Sequence, residues 1–185
     1  MKIEKIETQR LILRGFCKDD ARFAISIWND REMGEYLPDP TLEEVDEEYL
    51  KEIEELGEDQ TCCYLIAEAK ISKERIGTCS FIPSNNGNVY DIAYCVHKKY
   101  WHNGYVTEMA KGMIDYAKRH GAIKITVVVN KENVASNAIV NKLGFKKVGE
   151  RTYIKHGTDL VFTDNKYEYN VIAFGSNPDS CFLQL

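Results

Sequence analysis

The chain has 185 residues, 44% hydrophobic and 29% charged, a balance that suits one globular domain with a core of its own. Its net charge of −5 argues against a nucleic-acid binder, which needs concentrated Lys and Arg to meet phosphate. No apolar run approaches the roughly 18 residues that span a bilayer, and the charged start Met1-Lys2-Ile3-Glu4-Lys5 lacks a signal-peptide core, so a cytoplasmic protein is expected.

Leu11-Ile12-Leu13, between Arg10 and Arg14, reads as a first strand. Asp19 or Asp20 is positioned to cap a helix with Phe23, Ala24, Ile27 and Trp28 on one face. Past Pro38 and Pro40, Thr41 with Glu44 predicts a capping box, and Leu42, Val45, Tyr49, Ile53 and Leu56 form a stripe at helical spacing. The rest of that segment is mostly acidic, either a solvated face or a wall that attracts a cation. Strands are expected near Cys63–Ala67 and Ile76–Phe81, then a turn at Asn85-Asn86-Gly87-Asn88 and an alternating strand at Val89–Val96. A glycine turn at Gly104 leads into a helix carrying Val106, Met109, Ala110, Met113, Ile114 and Ala117, ended by Gly121. The β-branched run Ile123–Val129 predicts a strand buried on both faces. Asn133 opens a short helix closed by Gly144, and strands near Lys146–Tyr153 and Tyr167–Ile172 flank a turn at His156-Gly157. The tail from Gly175 to Leu185 has little pattern. The order is that of a mixed α/β (α+β) domain.

The six cysteines show no zinc-type spacing, and Cys62-Cys63 are adjacent, so free thiols are expected; the four scattered histidines suggest no metal site. The informative stretch is Tyr100-Trp101-His102-Asn103-Gly104-Tyr105-Val106-Thr107-Glu108, a strand-to-helix turn. The first amides of a helix lack partners and its dipole favours negative charge, which makes this a place for phosphate. Neither a Walker loop nor a dinucleotide G-x-G-x-x-G is present.

Four blocks then carry a resemblance. Thr8-Gln9-Arg10-Leu11-Ile12-Leu13-Arg14 resembles T-x-R-L-x-L-R, and Asp91-Ile92-Ala93-Tyr94-Cys95-Val96 resembles a strand E-I-G-Y-x-[IVL]. Trp101–Glu108 resembles W-G-x-G-Y-A-T-E, and Asn133-Val134-Ala135-Ser136 with Lys142-Leu143-Gly144-Phe145 resembles N-x-x-S followed by K-L-G-F. In this order they are similar to the GNAT superfamily of N-acetyltransferases, in particular the branch of the RimJ and RimL ribosomal-protein alanine acetyltransferases. His102 stands where the branch usually has glycine, Val106 where it has alanine or glycine, Asp91 for its Glu, and Ala93 for a strand glycine.

The resemblance implies a single GNAT-type domain over residues 5–174, followed by a tail at 175–185. Its fold would be a mostly antiparallel twisted sheet of about seven strands with a splayed pair, flanked by about four helices. It also implies acetyl-CoA as cosubstrate and a primary amine, a protein N-terminus or a small molecule, as acceptor. The amine must be neutral to attack, the two reactants must be held together, the oxyanion needs a donor, and the thiolate must leave. By resemblance, Asp91 is the base, through a water, or else a structural carboxylate. Ser136 either protonates the thiolate or satisfies the helix's first turn, and Asn133 caps that helix, binds pantetheine, or both. The backbone at Tyr94, Cys95 and Val96 would take the oxyanion and pantetheine, and Trp101, His102, Asn103, Gly104, Tyr105, Val106 and Thr107 the diphosphate. The Cys95 thiol is read as packing, since the family's chemistry needs no acyl-enzyme. A non-catalytic acyl-CoA sensor or scaffold, and a different acyl donor, stay open as alternatives. No nucleic acid or membrane partner is expected; a homodimer would match a habit of relatives.

Overall fold

Ile6 is the one apolar residue in Lys5-Ile6-Glu7, and it is enough to pin a short strand that the sequence pattern does not reveal. In this computed structural model, which describes Ile3 and residues 5–171, β1 (Lys5–Glu7) pairs antiparallel with β2 (Leu11–Gly15), Ile6 opposite Leu13. The chain continues through α1 (Ala21–Trp28), α2 (Glu47–Glu54), β3 (Cys63–Ala69), β4 (Arg75–Ser84) and β5 (Val89–Val96). It ends with α3 (Tyr105–Arg119), β6 (Lys124–Asn130), α4 (Val134–Lys142), β7 (Lys146–Ile154) and β8 (Val161–Asn170). The described residues form one mixed α/β domain with an eight-stranded sheet, ordered β1-β2-β3-β4-β5-β6-β8-β7, and four α-helices. The eighth strand, beyond the seven expected, is β1. Among the described residues every pairing is antiparallel except β5 with β6.

The helices cover both faces. Met109, Met113, Ile114 and Ala117 of α3 and Val140 of α4 pack with Leu13, Leu65, Phe81, Ile92 and Ile125. On the other side Ala21, Ala24 and Ile25 of α1 and Ile53 of α2 close over Phe16 and Ile66, with Trp28, Tyr49 and Tyr64 at the margin. Among the described residues no helix is long and apolar enough to cross a membrane.

Three local expectations need correction. The second helix does not start at Thr41: Asn29 holds both the N–H and the C=O of Leu42 in a loop, and Asp46 caps α2 by accepting the Tyr49 N–H at 2.8 Å. Asp20 holds the N-cap position of α1, as expected, but its side chain makes no cap hydrogen bond. Completely buried, it accepts from Arg14 at 2.7 and 2.9 Å, from Arg75 at 2.7 Å and from the Cys17 N–H at 2.9 Å, tying β2, β4 and α1 together. Finally, β6 is buried on one face only, through Ile125, Val127 and Val129; Thr126 and Val128 are half-buried and Ile123 lies outside the strand. Cys17, Cys62, Cys63, Cys79 and Cys95 are free thiols; Cys181 and the tail from residue 175 lie outside the described residues.

Candidate active site

The turn into α3 needs two left-handed residues. Gly104 has φ +75°, and His102, where the resembled motif carries glycine, has φ +61°. This is the physical reason for a glycine at both places, and histidine is among the side chains that tolerate the conformation. The Glu108 N–H closes the first helical hydrogen bond, onto Gly104 O at 3.1 Å, which leaves the amides of Tyr105, Val106 and Thr107 for an anion. The turn is held from outside. Arg10 donates to Asn103 O at 3.0 Å and stacks over the Tyr105 ring, 4.4 Å from its centroid. The Asn103 side chain turns inward and caps the carbonyls of Tyr100 and Trp101 at 3.2 and 2.9 Å.

Beside this turn the sheet opens. β5 and β6 pair in parallel only at Val89, Tyr90 and Asp91, opposite Lys124, Ile125 and Thr126, and then part. The edge that β5 presents to the gap follows from its other ladder. His97 N–H bonds Ile76 O at 3.0 Å, so alternation commits the Cys95 amide to β4, opposite Thr78, and turns the polar groups of Tyr94 and Val96 toward the gap. The Trp101 indole takes the Val96 carbonyl at 2.8 Å. The N–H groups of Tyr94 and Val96 are left facing the gap, the Val96 one nearer the α3 turn along the strand. Gly77 makes this course possible: a Cβ there would lie 2.2 Å from Cys95 O and 3.0 Å from Val96 Cα.

A cavity of about 570 Å³ joins the gap to the α3 turn. Tyr94, Cys95, Val96, Trp101, His102, Gly104, Tyr105, Val106, Thr107, Asn133 and Ser136 all line it. Asn103 and Asp91 do not. Asp91 sits at the last rung before the strands part, half-buried, accepting from the Thr126 hydroxyl at 3.0 Å. Burial pushes its carboxyl above the ordinary range, against the Thr126 hydrogen bond and the Arg151 charge. Burial also pushes the Cys95 thiol up to about 11, so it is a thiol at neutral pH and a poor nucleophile.

Asn133 is the N-cap of α4, its Oδ1 accepting the Ser136 N–H at 3.0 Å; this uses the oxygen and leaves the amide hydrogens for a ligand. Asn137 anchors that helix end. It donates to the carbonyls of Asn130 and Asn133, each at 2.8 Å, and accepts from Asn165 at 2.8 Å and the Tyr167 hydroxyl at 2.7 Å. Ser136 is thereby fixed against the gap. Facing it, the Tyr94 hydroxyl is buried without a hydrogen-bond partner among the described residues, a state that costs about 1–3 kcal/mol.

Sequence reasoning missed the far wall: Glu32, Met33, Glu35 and Tyr36, from the loop after α1, line the same cavity. Lys155, almost fully buried, donates to Glu35 O at 3.0 Å and the His156 N–H to Pro38 O at 3.1 Å, pinning this loop to the end of β7. A second hollow of about 850 Å³ shares Gly104 and Thr107 and is edged by Lys111, Lys118, Arg119 and Lys142. Among the described residues no His, Cys, Asp and Glu cluster is arranged to hold a metal.

A strand pair that parts beside a helix N-terminus, in a mixed α/β domain, is the frame on which the comparisons with known proteins bear. Residues 10–146 match the family model described as an acetyltransferase (GNAT) domain, and the chain belongs to that family. It is 28% identical over 152 residues to the uncharacterized N-acetyltransferase p20 of Bacillus licheniformis, covering 80% of this chain and 85% of p20. It is 27% identical over 166 residues to the uncharacterized N-acetyltransferase YoaA of Bacillus subtilis, covering 88% and 94%. Among solved structures, a GNAT-family acetyltransferase from Bacillus anthracis superposes with TM-score 0.78 at 20% identity over 90% of this chain and 98% of its own. Spermidine N-acetyltransferase from Vibrio cholerae, in complex with CoA and spermine, gives 0.75 at 18% over 87% and 95%. RimL, a ribosomal L7/L12 alpha-N-protein acetyltransferase, gives 0.72 at 18% over 91% and 94%.

Proposed function

We propose that the protein transfers an acetyl group from acetyl-CoA to a primary amine by direct attack while both substrates are bound, within a domain spanning residues 5–174. The observation that carries this is the early parting of β5 from β6 beside the α3 N-terminus, with one cavity joining the two. The diphosphate fits the amides of Tyr105, Val106 and Thr107, and the basic edge around Lys111 and Lys142 suits the remaining phosphate. Pantetheine fits the open edge of β5 as a substitute strand, with Asn133 supplying a side-chain hydrogen bond. The Val96 N–H then meets the carbonyl oxygen where negative charge develops.

Asp91 takes the amine's proton through a water. Its raised pKa brings it nearer to a base's working range, and its place one rung below the gap suits an indirect contact. Ser136 serves the leaving thiolate from α4. The acceptor enters along the Glu32–Tyr36 wall, which carries the Glu35 carboxylate and that of Glu32, the latter 3.4 Å from Lys98, and no Lys or Arg of its own, so a cationic amine is favoured. A small polycationic amine fits this wall, and the spermidine acetyltransferase shows that the same fold takes one. A protein N-terminus, as in the RimJ and RimL branch, is the second reading, supported by the Trp101–Glu108 and Asn133–Ser136 motifs. Free thiols and acetyl-CoA use suit the cytoplasm.

Two measurements test the proposal together: calorimetric titration with acetyl-CoA, and thiol release from acetyl-CoA against a panel of polyamines, aminoglycosides and N-terminal peptides. Binding with amine-dependent thiol release is expected. Binding without release for any amine would favour a sensor or scaffold.

A further inference from the structure

Two buried side-chain atoms lack a hydrogen-bond partner among the described residues, Asn165 Oδ1 and the Tyr94 hydroxyl. The first belongs to an amide already tied to Asn137 at 2.8 Å. The second has no such tie: Ser136 lies beside it but closes no hydrogen bond with it. Tyr94 lies on β5 past the point where β6 departs and lines the cavity together with Ser136. Its ring packs against the main core. A phenylalanine would supply the same packing and would spare the protein an unsatisfied group, so the hydroxyl points to a bound partner.

We propose that the Tyr94 hydroxyl donates a hydrogen bond to the thioester sulfur and, with Ser136, stabilises the departing thiolate; this rests on the acetyl-transfer reading above. The amine nitrogen forms a bond to the acetyl carbon, the carbon–sulfur bond breaks, and its electron pair stays on sulfur. The proton lost by the amine passes to Asp91 through the water. The thiolate, of ordinary pKa about 8.5, is held by the two hydroxyls and takes its proton from solvent on release. Burial pushes the Tyr94 phenol up to about 12, and Ser136 opposes that shift without closing a hydrogen bond of acceptable geometry. Tyr94 therefore stays protonated at neutral pH and acts as a donor, not as a base.

Tyr94→Phe is the test, compared with the parent in three measurements. Its melting temperature without ligand should equal or exceed the parent's. Its kcat for thiol release should fall roughly 10- to 100-fold, as for loss of a preorganised donor to developing charge. Its affinity for desulfo-CoA, which lacks the sulfur, should match the parent's within twofold. An active parent with an unchanged kcat in Tyr94→Phe overturns this assignment alone, as does a matching loss of desulfo-CoA affinity, which would place the hydroxyl on pantetheine. A parent that binds acetyl-CoA and releases no thiol with any amine overturns the transfer reading and this inference with it.

Discussion

Arg10 and Glu108, 98 residues apart, meet across the start of α3 with Arg10 Nε 2.6 Å from Glu108 Oε2. The same carboxylate accepts the Arg10 N–H and the Thr8 hydroxyl on its other oxygen, at 2.5 and 2.6 Å. The opening T-x-R and the closing T-E of the α3 turn are thus two halves of one clamp. Burial raises the Glu108 carboxyl, but the bonds from Thr8 and Arg10 outweigh it and hold the group below its ordinary value of 4.5. Glu108→Ala removes the clamp. A loss of about 1–2 kcal/mol is expected, because half of the ion pair is exposed. Acetyl-CoA affinity should fall severalfold while KM for the amine is unchanged, as calorimetry and thiol-release kinetics would read.

Gly77 sets how closely β4 approaches β5. Gly77→Ala places a methyl carbon 2.2 Å from Cys95 O, so the Cys95–Val96 backbone must move. A destabilisation of about 1–3 kcal/mol is expected from overpacking. Because the Val96 N–H is the proposed oxyanion donor, kcat should fall by at least tenfold in the folded fraction. A variant of parental kcat would detach that amide from the chemistry.

Asp91 is expected to separate stability from activity. Its folded pKa is raised, so ionisation is disfavoured in the folded state and the group weakens stability once pH rises above its ordinary value of 3.8. Asp91→Asn should therefore hold or raise the melting temperature at pH 7. It should lower kcat by about 10²-fold, the usual contribution of a general base, and flatten the acid limb of the pH–rate profile. A parental profile would put the base elsewhere.

Asp20 makes the opposite case. Burial alone would raise its carboxyl, but Arg14, Cys17 and Arg75 hold it far below its ordinary 3.8. Its stabilisation is fully present above that value and disappears only as the pH falls through the lower folded one. Asp20→Asn should cost about 2–3 kcal/mol at pH 7, since it leaves Arg14 with Glu68 alone as a carboxylate partner and removes that of the partly exposed Arg75. The gap to the parent in denaturant titrations should persist at pH 4 and close only under stronger acid.

The turn at Trp101–Glu108 was legible because its geometry is local: a strand end, a glycine and a helix start follow one another in the chain. Asn133 and Ser136 were legible for the same reason, as a cap and its third residue. The misplaced start of α2 shows the limit of such signals. Thr41 and Glu44 satisfy a capping pattern, yet Asn29, distant in sequence, competes for Leu42 and wins. The cavity wall at Glu32–Tyr36, the proposed acceptor side, carries no local pattern, because Lys155 and His156 place it from the other end of the domain. The orphan hydroxyl of Tyr94 is invisible to sequence, since an alternating strand looks the same whether or not its tyrosine finds a partner.

The central claim, that the first turn of α3 grips the diphosphate of acetyl-CoA, is tested most directly at Thr107, the third residue of that helix. A glutamate there favours the helix dipole and leaves folding intact, but sets a negative charge against the phosphates. Calorimetric titration of Thr107→Glu with acetyl-CoA should show affinity reduced by at least tenfold, with the melting temperature equal to or above the parent's. Parental affinity in this folded variant would contradict the account.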